Sequence, residues 1–182
     1  MATSSDEDAL VELMTRYQQG SMDAFNGIFD AMKQPLQRYL WTFVRNQTVA
    51  EDLVQETFFQ VHRARHTYTP PRPVRPWLYA ISRHVALMHL RSTRRRKESL
   101  AHEELPDVPV PPEFEGLADR ETVLKLLAKL PRNGQEVLIL HHLLGLSFQE
   151  VGSILNLAPG TAKVRAHRAL KRLRSLAEKG GL

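Results

Sequence analysis

Of the 182 residues 42% are apolar and 25% charged, none is cysteine, and the formal net charge is +5. This is the composition of an ordinary globular chain, long enough for one domain or two small ones, and it excludes disulfides, thiolate metal sites and a cysteine nucleophile. No run of about 18 apolar residues is present to span a bilayer, and the opening MATSSDEDALVEL is acidic where a secretory leader is basic, so residence in the cytoplasm is expected.

Helical periodicity runs through nearly the whole chain and no alternating β-branched run marks a strand, so an all-α fold is expected. Asp6 to Gln19 reads as a first helix, ended by Gly20. Ser21 is placed to cap a second helix that runs to about Arg45. Phe25, Phe29, Met32, Leu36, Leu40 and Phe43 recur on one of its faces, and Pro35 should kink it by removing a backbone donor. Thr48 and Glu51 fit a capping box that opens the third helix, TVAEDLVQETFFQVHRAR. At about 100° per residue, Ala50, Leu53, Val54, Thr57, Phe58 and Val61 turn inward, while Asp52, Gln55, Glu56 and Phe59 turn outward. A large aromatic among polar groups on an exposed face suits a protein contact. The alternative is that Phe59 packs inside its own domain.

HTYTPPRPVRP follows as a constrained loop with four prolines between residues 70 and 76. A fourth helix resumes near Trp77, with Leu78, Ile81, Val85 and Met88 on one side, and ends in Arg91, Arg94, Arg95, Arg96 and Lys97. Tyr68, Trp77 and Tyr79 accompany Arg72, Arg75, Arg83 and Arg91, a mixture suited to unstacked bases and phosphates. Trp77 and Tyr79 read equally as core residues, and for Trp77 the core is the better reading.

Residues 98–121 carry one basic and eight acidic side chains, between a first block of net +5 and a last block of net +7. The stretch 98–117 is acidic and proline-rich with little hydrophobic periodicity, so it reads as an extended linker. Four helices should follow, at about 117–129, 133–144, 147–155 and 160–178. Two small helical domains, 1–97 and 118–182, result. The basic blocks suit a polyanion such as nucleic acid, or simply solvated surfaces.

SFQEVGSILNLAPGTAKVRAHRALKRLR places a short amphipathic helix, a turn and a basic helix in succession. Ala162, Ala166, Ala169 and Leu173 form the inward face of the basic helix, and Phe148, Val151, Ile154 and Leu155 that of the helix before it. Thr161, Val164, Arg168 and Lys171 lie on the far side with His167 at its edge, and no acid occurs between Pro159 and Ala177. This is a helix-turn-helix pattern, with Pro159 and Gly160 expected to keep the turn tight. Thr161, Lys163 and Val164 would reach base edges, while Arg165, Arg168, Lys171 and Arg172 would mostly grip phosphates.

AEDLVQETFFQVHRA, RPVRPWLYAISRHVALMHLRSTRRR and LPRNGQEVLILHHLLGLSFQEVGSILNLAPGTAKVRAHRALKRLR, in this order, resemble conserved regions 2 and 4 of bacterial sigma factors, in the compact form of the extracytoplasmic function (ECF) group. The resemblance covers about residues 22–176. It implies that Asp52, Gln55, Glu56 and Phe59 meet the clamp helices of the β′ subunit of core RNA polymerase, with a further contact to the β flap. It implies that Tyr68, Arg72, Arg75, Arg83, His84, Arg91, Arg94 and Arg95 serve the −10 element and the melted strand. Thr161, Lys163, Val164, Arg165, His167, Arg168, Lys171 and Arg172 would read the −35 element of promoter DNA. The resemblance also implies an anti-sigma factor as a partner, a linker that threads toward the RNA-exit channel, and no cofactor. His84 stands where the family often has Asn, Met88 where Asp is common, and Ala162, Val164 and Ala166 depart from the usual start of the recognition helix. Two other classes are weighed against this. A free-standing helix-turn-helix regulator would need a dimer interface or ligand pocket in residues 1–97, and an enzyme would need a site that no phosphate loop or H-E-x-x-H motif supplies.

Overall fold

A computed structural model describes residues 4–99, 126–127 and 129–179. Most of the predicted linker and most of the helix predicted at 117–129 lie outside the described residues. Among the described residues every regular element is helical, and they fall into two compact units.

The first unit holds α1 (Ser4–Gln18), α2 (Met22–Val44), α3 (Gln47–Ala64), a 3₁₀ turn (Arg65–Thr67) and α4 (Val74–Ser99). Its core is built from Leu10, Met14 and Tyr17 of α1, Ile28, Met32, Leu36 and Leu40 of α2, Leu53, Val54 and Val61 of α3, and Leu78 and Ala86 of α4. Fully burying one such aliphatic side chain stabilises by roughly 1.5–3 kcal/mol. Phe58 packs against Phe29 at 4.7 Å and Phe25 at 5.9 Å, which ties α3 to α2. The Ser21 cap is present, its hydroxyl accepting from the Ala24 amide at 3.3 Å. α2 continues through Pro35.

Three expectations about the helices of this unit are corrected. Thr48 and Glu51 do not form the capping box: α3 starts earlier, and the Asn46 side chain accepts from the Val49 amide at 3.0 Å. Glu51 instead accepts from Gln37 and Gln47, each at 3.0 Å. The fourth helix begins at Val74 rather than Trp77, because Pro76 falls in its first turn, where a missing N–H costs nothing. Met88 is 49% exposed; the inward side of α4 is Leu78, Tyr79, Ser82, Val85 and Ala86.

The second unit holds α5 (Arg132–Leu138), which runs on as a π-helical turn (Ile139–Leu143), then α6 (Phe148–Leu155) and α7 (Pro159–Lys179). α5 and α6 both pack on α7, with Val137, Val151 and Ile154 buried on their side and Ala162, Ala166 and Ala169 on that of α7; Leu140 of the π-helical turn is buried as well. The small residues on α7 permit close approach: a Cβ added at Gly134 would sit 3.1 Å from the Ala169 Cβ.

Candidate polymerase and promoter surfaces

The two faces expected of α3 are separated as the periodicity requires. Ala50, Leu53, Val54, Thr57, Phe58 and Val61 are buried, and the Thr57 hydroxyl is satisfied by the Leu53 carbonyl at 2.7 Å. Asp52, Gln55 and Glu56 are exposed, and Phe59 is 55% exposed. Of two consecutive phenylalanines, one is thus buried and the other exposed. Arg63 lies over the Phe59 ring at 5.8 Å, a cation–π contact that sequence reasoning did not single out although the i, i+4 spacing announces it. Gln60 donates to Glu56 at 2.7 Å. The face offers one apolar ring framed by acidic and amide groups.

The loop before α4 is held from a distance. Gln18 of α1 donates from one amide nitrogen to the carbonyls of Arg65 (2.7 Å) and Tyr68 (2.8 Å). Glu7, also on α1, accepts from the amides of Val74 and Arg75, the latter at 3.1 Å, and pairs with the Arg75 guanidinium at 3.6 Å. Tyr68 is a correction. Its ring is only 4% exposed and packs on Trp77 at 5.6 Å, and its hydroxyl donates to the Arg72 carbonyl, so it supports the loop and offers no ring face to a base. Tyr79 is buried too, as one of the two readings allowed, and burial pushes its hydroxyl up to about 12 despite the opposing Arg75 and Arg38 charges. Trp77 is half-buried.

Arg72 is exposed on the loop. His84, Met88, Arg91 and Arg95 fall on one exposed stripe of α4, with the Arg91 guanidinium 4.0 Å from the Met88 sulfur. Arg94 is exposed and Arg83 half-buried, and both are engaged with neighbouring groups. The structure therefore brings the expected cations to one helix and loop, minus the Tyr68 ring and with Arg75 drawn to Glu7.

In the second unit, Ser147 and Glu150 form a full capping box at the start of α6. Asn156 ends α6 in the left-handed region (φ 55°), and the Leu157 amide donates to the Gly152 carbonyl at 2.8 Å. The turn is tight because of Gly152, where an added Cβ would sit 2.5 Å from the Leu157 carbonyl oxygen. The expectation that Pro159 and Gly160 tighten it is corrected: both lie in the first turn of α7, and a Cβ at Gly160 would meet open space. The signal for Gly152 was in the sequence, since a glycine inside an otherwise apolar-periodic helix marks a close backbone approach.

α7 presents Thr161, Lys163, His167, Arg168, Lys171 and Arg172 as exposed, Val164 as 50% exposed and Arg165 as half-buried. A groove of about 390 Å³ runs along its flank, where Arg165, Arg168 and Arg172 face Leu130, Pro131 and Asn133. Three cations along a concave strip suit a sugar–phosphate backbone, and Val164 and Thr161 also line it. His141 stacks on Phe148 at 3.9 Å and pairs through Nδ1 with the Leu146 carbonyl at 2.7 Å, so it is a packing residue. Burial and then neighbouring His141 hold the His142 imidazole below its usual value. Among the described residues no three His, Asp or Glu side chains are grouped to hold a metal.

Residues 28–96 match the family model for sigma-70 region 2, and residues 120–173 match that for sigma-70 region 4. The sigma factor CarQ of Myxococcus xanthus is 34% identical over 90% of this chain and 94% of its own length. The ECF sigma factor SigC of Mycobacterium tuberculosis is 31% identical over 97% of this chain and 96% of its own. The chain belongs to the ECF RNA polymerase sigma factors. Among solved structures it is similar to the sigma factor RpoE in complex with the anti-sigma factor NepR from Bartonella quintana, with a TM-score of 0.76 at 25% identity over 85% of this chain and 96% of that one. It is also similar to CnrH in complex with the cytosolic domain of CnrY, with a TM-score of 0.72 at 25% identity over 94% of this chain and 99% of that one. As an ECF sigma factor it directs promoter-specific initiation by core polymerase. A free-standing regulator is not favoured, because the first unit is sigma region 2 rather than a dimerisation or ligand domain. No described helix is long and apolar enough to cross a membrane.

Proposed function

We propose that the outward face of α3, with Asp52, Gln55, Glu56 and Phe59, docks on the β′ clamp helices of core polymerase, and that α7 lies in the major groove of the −35 element. In this reading Thr161, Lys163 and Val164 meet base edges, while Arg165, His167, Arg168, Lys171 and Arg172 hold the flanking backbone. Arg72, Arg83, His84, Arg91, Arg94 and Arg95 serve the −10 element and the displaced strand, and Arg75 acts through the loop it helps to shape. Residues 1–97 and 118–182 act as separate modules, joined by the acidic stretch 98–117, which repels nucleic acid and yields its path to nascent RNA. The second module also meets the β flap. An anti-sigma factor that covers these surfaces is the proposed regulator, in line with the complex of RpoE with the anti-sigma factor NepR. The chain acts in the cytoplasm as an initiation factor and performs no chemistry of its own.

The observation that carries the reading is the pairing, in one chain, of an exposed Phe59 framed by acidic and amide groups with an outer face of α7 that carries no acid before Glu178. Run-off transcription tests it. Core polymerase supplied with this chain and with genomic DNA of its own bacterium should start transcripts downstream of a shared pair of elements. Start sites identical to those of core alone would overturn it.

A further inference from the structure

We infer that α1 is a clasp that sets the shape of the loop between α3 and α4 before DNA arrives, with Glu7 and Gln18 as positioning residues for promoter opening. The inference rests on the region 2 reading above. It concerns a helix that lies outside the matched region 2 segment, residues 28–96.

The loop has two ends, and one helix holds both. At its entrance the carbonyls of Arg65 and Tyr68 share the Gln18 amide nitrogen. At its exit the amides of Val74 and Arg75 share one Glu7 oxygen. These amides open a 26-residue helix and have no intrahelical partner, so a carboxylate there satisfies two orphan donors and meets the positive end of the helix dipole. Glu7 and Gln18 are eleven residues apart, which on an α-helix is three turns: the two side chains share one face, about 16 Å apart. Leu10, Met14 and Tyr17 are buried beside them, so this face of α1 is fixed in the core. The loop is thus stretched between two points on one rigid element. Inside it, Tyr68 bonds the Arg72 carbonyl, and the Arg72 amide donates to the Thr69 carbonyl at 3.2 Å. Arg72 is the exposed cation that this arrangement presents, and Arg75 is spent on Glu7. A loop ordered in advance does not lose that freedom when it meets the melted strand.

The test uses the full chain in reconstituted holoenzyme, on a promoter defined by the run-off experiment. Permanganate reactivity of thymines in the −10 region reports opening. Glu7→Ala and Gln18→Ala should each lower open-complex formation about tenfold, the size expected from loss of a cap or two carbonyl bonds. Co-elution with core polymerase and binding to a duplex carrying only the −35 element should not change. Glu7→Gln should recover most of the activity, since its amide oxygen still accepts from Val74 and Arg75. Release of the loop also separates Tyr68 from Trp77, so tryptophan emission of the free Glu7→Ala protein should shift to the red with its helical circular dichroism intact. Wild-type opening by Glu7→Ala and Gln18→Ala, or a Glu7→Gln variant as impaired as Glu7→Ala, would overturn the inference. Failure of the region 2 reading looks different, because the wild type would then open no promoter. The fluorescence arm needs no polymerase and still decides whether α1 holds the loop.

Discussion

Gly152→Ala is the substitution for which the structure gives the clearest magnitude. The added Cβ would lie 2.5 Å from the Leu157 carbonyl oxygen, whereas carbon–oxygen contacts settle at about 3.3–3.6 Å. About 0.8 Å must open between α6 and the turn. The neighbour is backbone, so no rotamer change relieves it, and the Leu157 amide is bound to the Gly152 carbonyl at 2.8 Å, which closes the turn on itself. Overpacking of this kind costs about 1–3 kcal/mol, and the gain in helix propensity returns about 1 kcal/mol. With no compliant neighbour the upper end applies, for a net loss of about 2 kcal/mol. In a unit of this size that lowers the melting temperature by roughly 10 °C. The displaced carbonyl belongs to the turn that aims α7, so holoenzyme affinity for a −35 duplex should fall about tenfold or more. The control is Gly160→Ala, whose Cβ meets open space; it should be neutral or slightly stabilising and should leave DNA binding intact. Differential scanning fluorimetry and fluorescence anisotropy measure both quantities. Equal melting temperatures and affinities for Gly152→Ala and wild type would refute the assignment of the tight turn to Gly152.

Two further outcomes are expected. Val164 carries an exposed isopropyl group suited to a thymine methyl, so replacing thymine by uracil in the −35 element should weaken holoenzyme binding about fivefold, or ~1 kcal/mol, and Val164→Ala should abolish that sensitivity without changing the melting temperature. Burial raises the Tyr79 hydroxyl from 10.0 to about 12, so the unfolded chain loses this proton first and the associated stability, complete below pH 10, falls as pH rises toward 12. The full loss approaches ~3 kcal/mol; Tyr79→Phe should flatten that alkaline limb in urea titrations, and an unchanged slope would contradict the burial argument.

Periodicity was enough to sort α3. Its six inward and four outward residues were separable at 100° per residue because one face meets a core and the other does not. The alanine face of α7 was legible for the same reason. Periodicity was less able to place residues whose burial comes from outside their own helix. Met88 has helical spacing from Leu78 and Val85 yet points to solvent, because the inward arc of α4 is centred on Ser82 and Ala86, whose small side chains carry little hydrophobic signal. Tyr68 read as a base platform, but its environment is set by Trp77 and by a loop held from α1. The bonds from Glu7 to Val74 and from Gln18 to Tyr68 join residues 67 and 50 apart, and no local pattern encodes such pairs. Asn46 outcompeted Thr48 as a cap through a two-residue shift in the helix start, the least determined quantity in a sequence reading.

The most direct measurement of the central claim is size-exclusion chromatography of the full chain mixed with core polymerase, beside Phe59→Ala and the double variant Asp52→Ala/Glu56→Ala. All three side chains are exposed, so both variants should fold and melt as the wild type does. The wild type should co-elute with core, and both variants should shift toward free protein. A wild type that elutes alone beside properly folded core, or variants that co-elute as fully as the wild type, would contradict the assignment of this face of α3 to the polymerase.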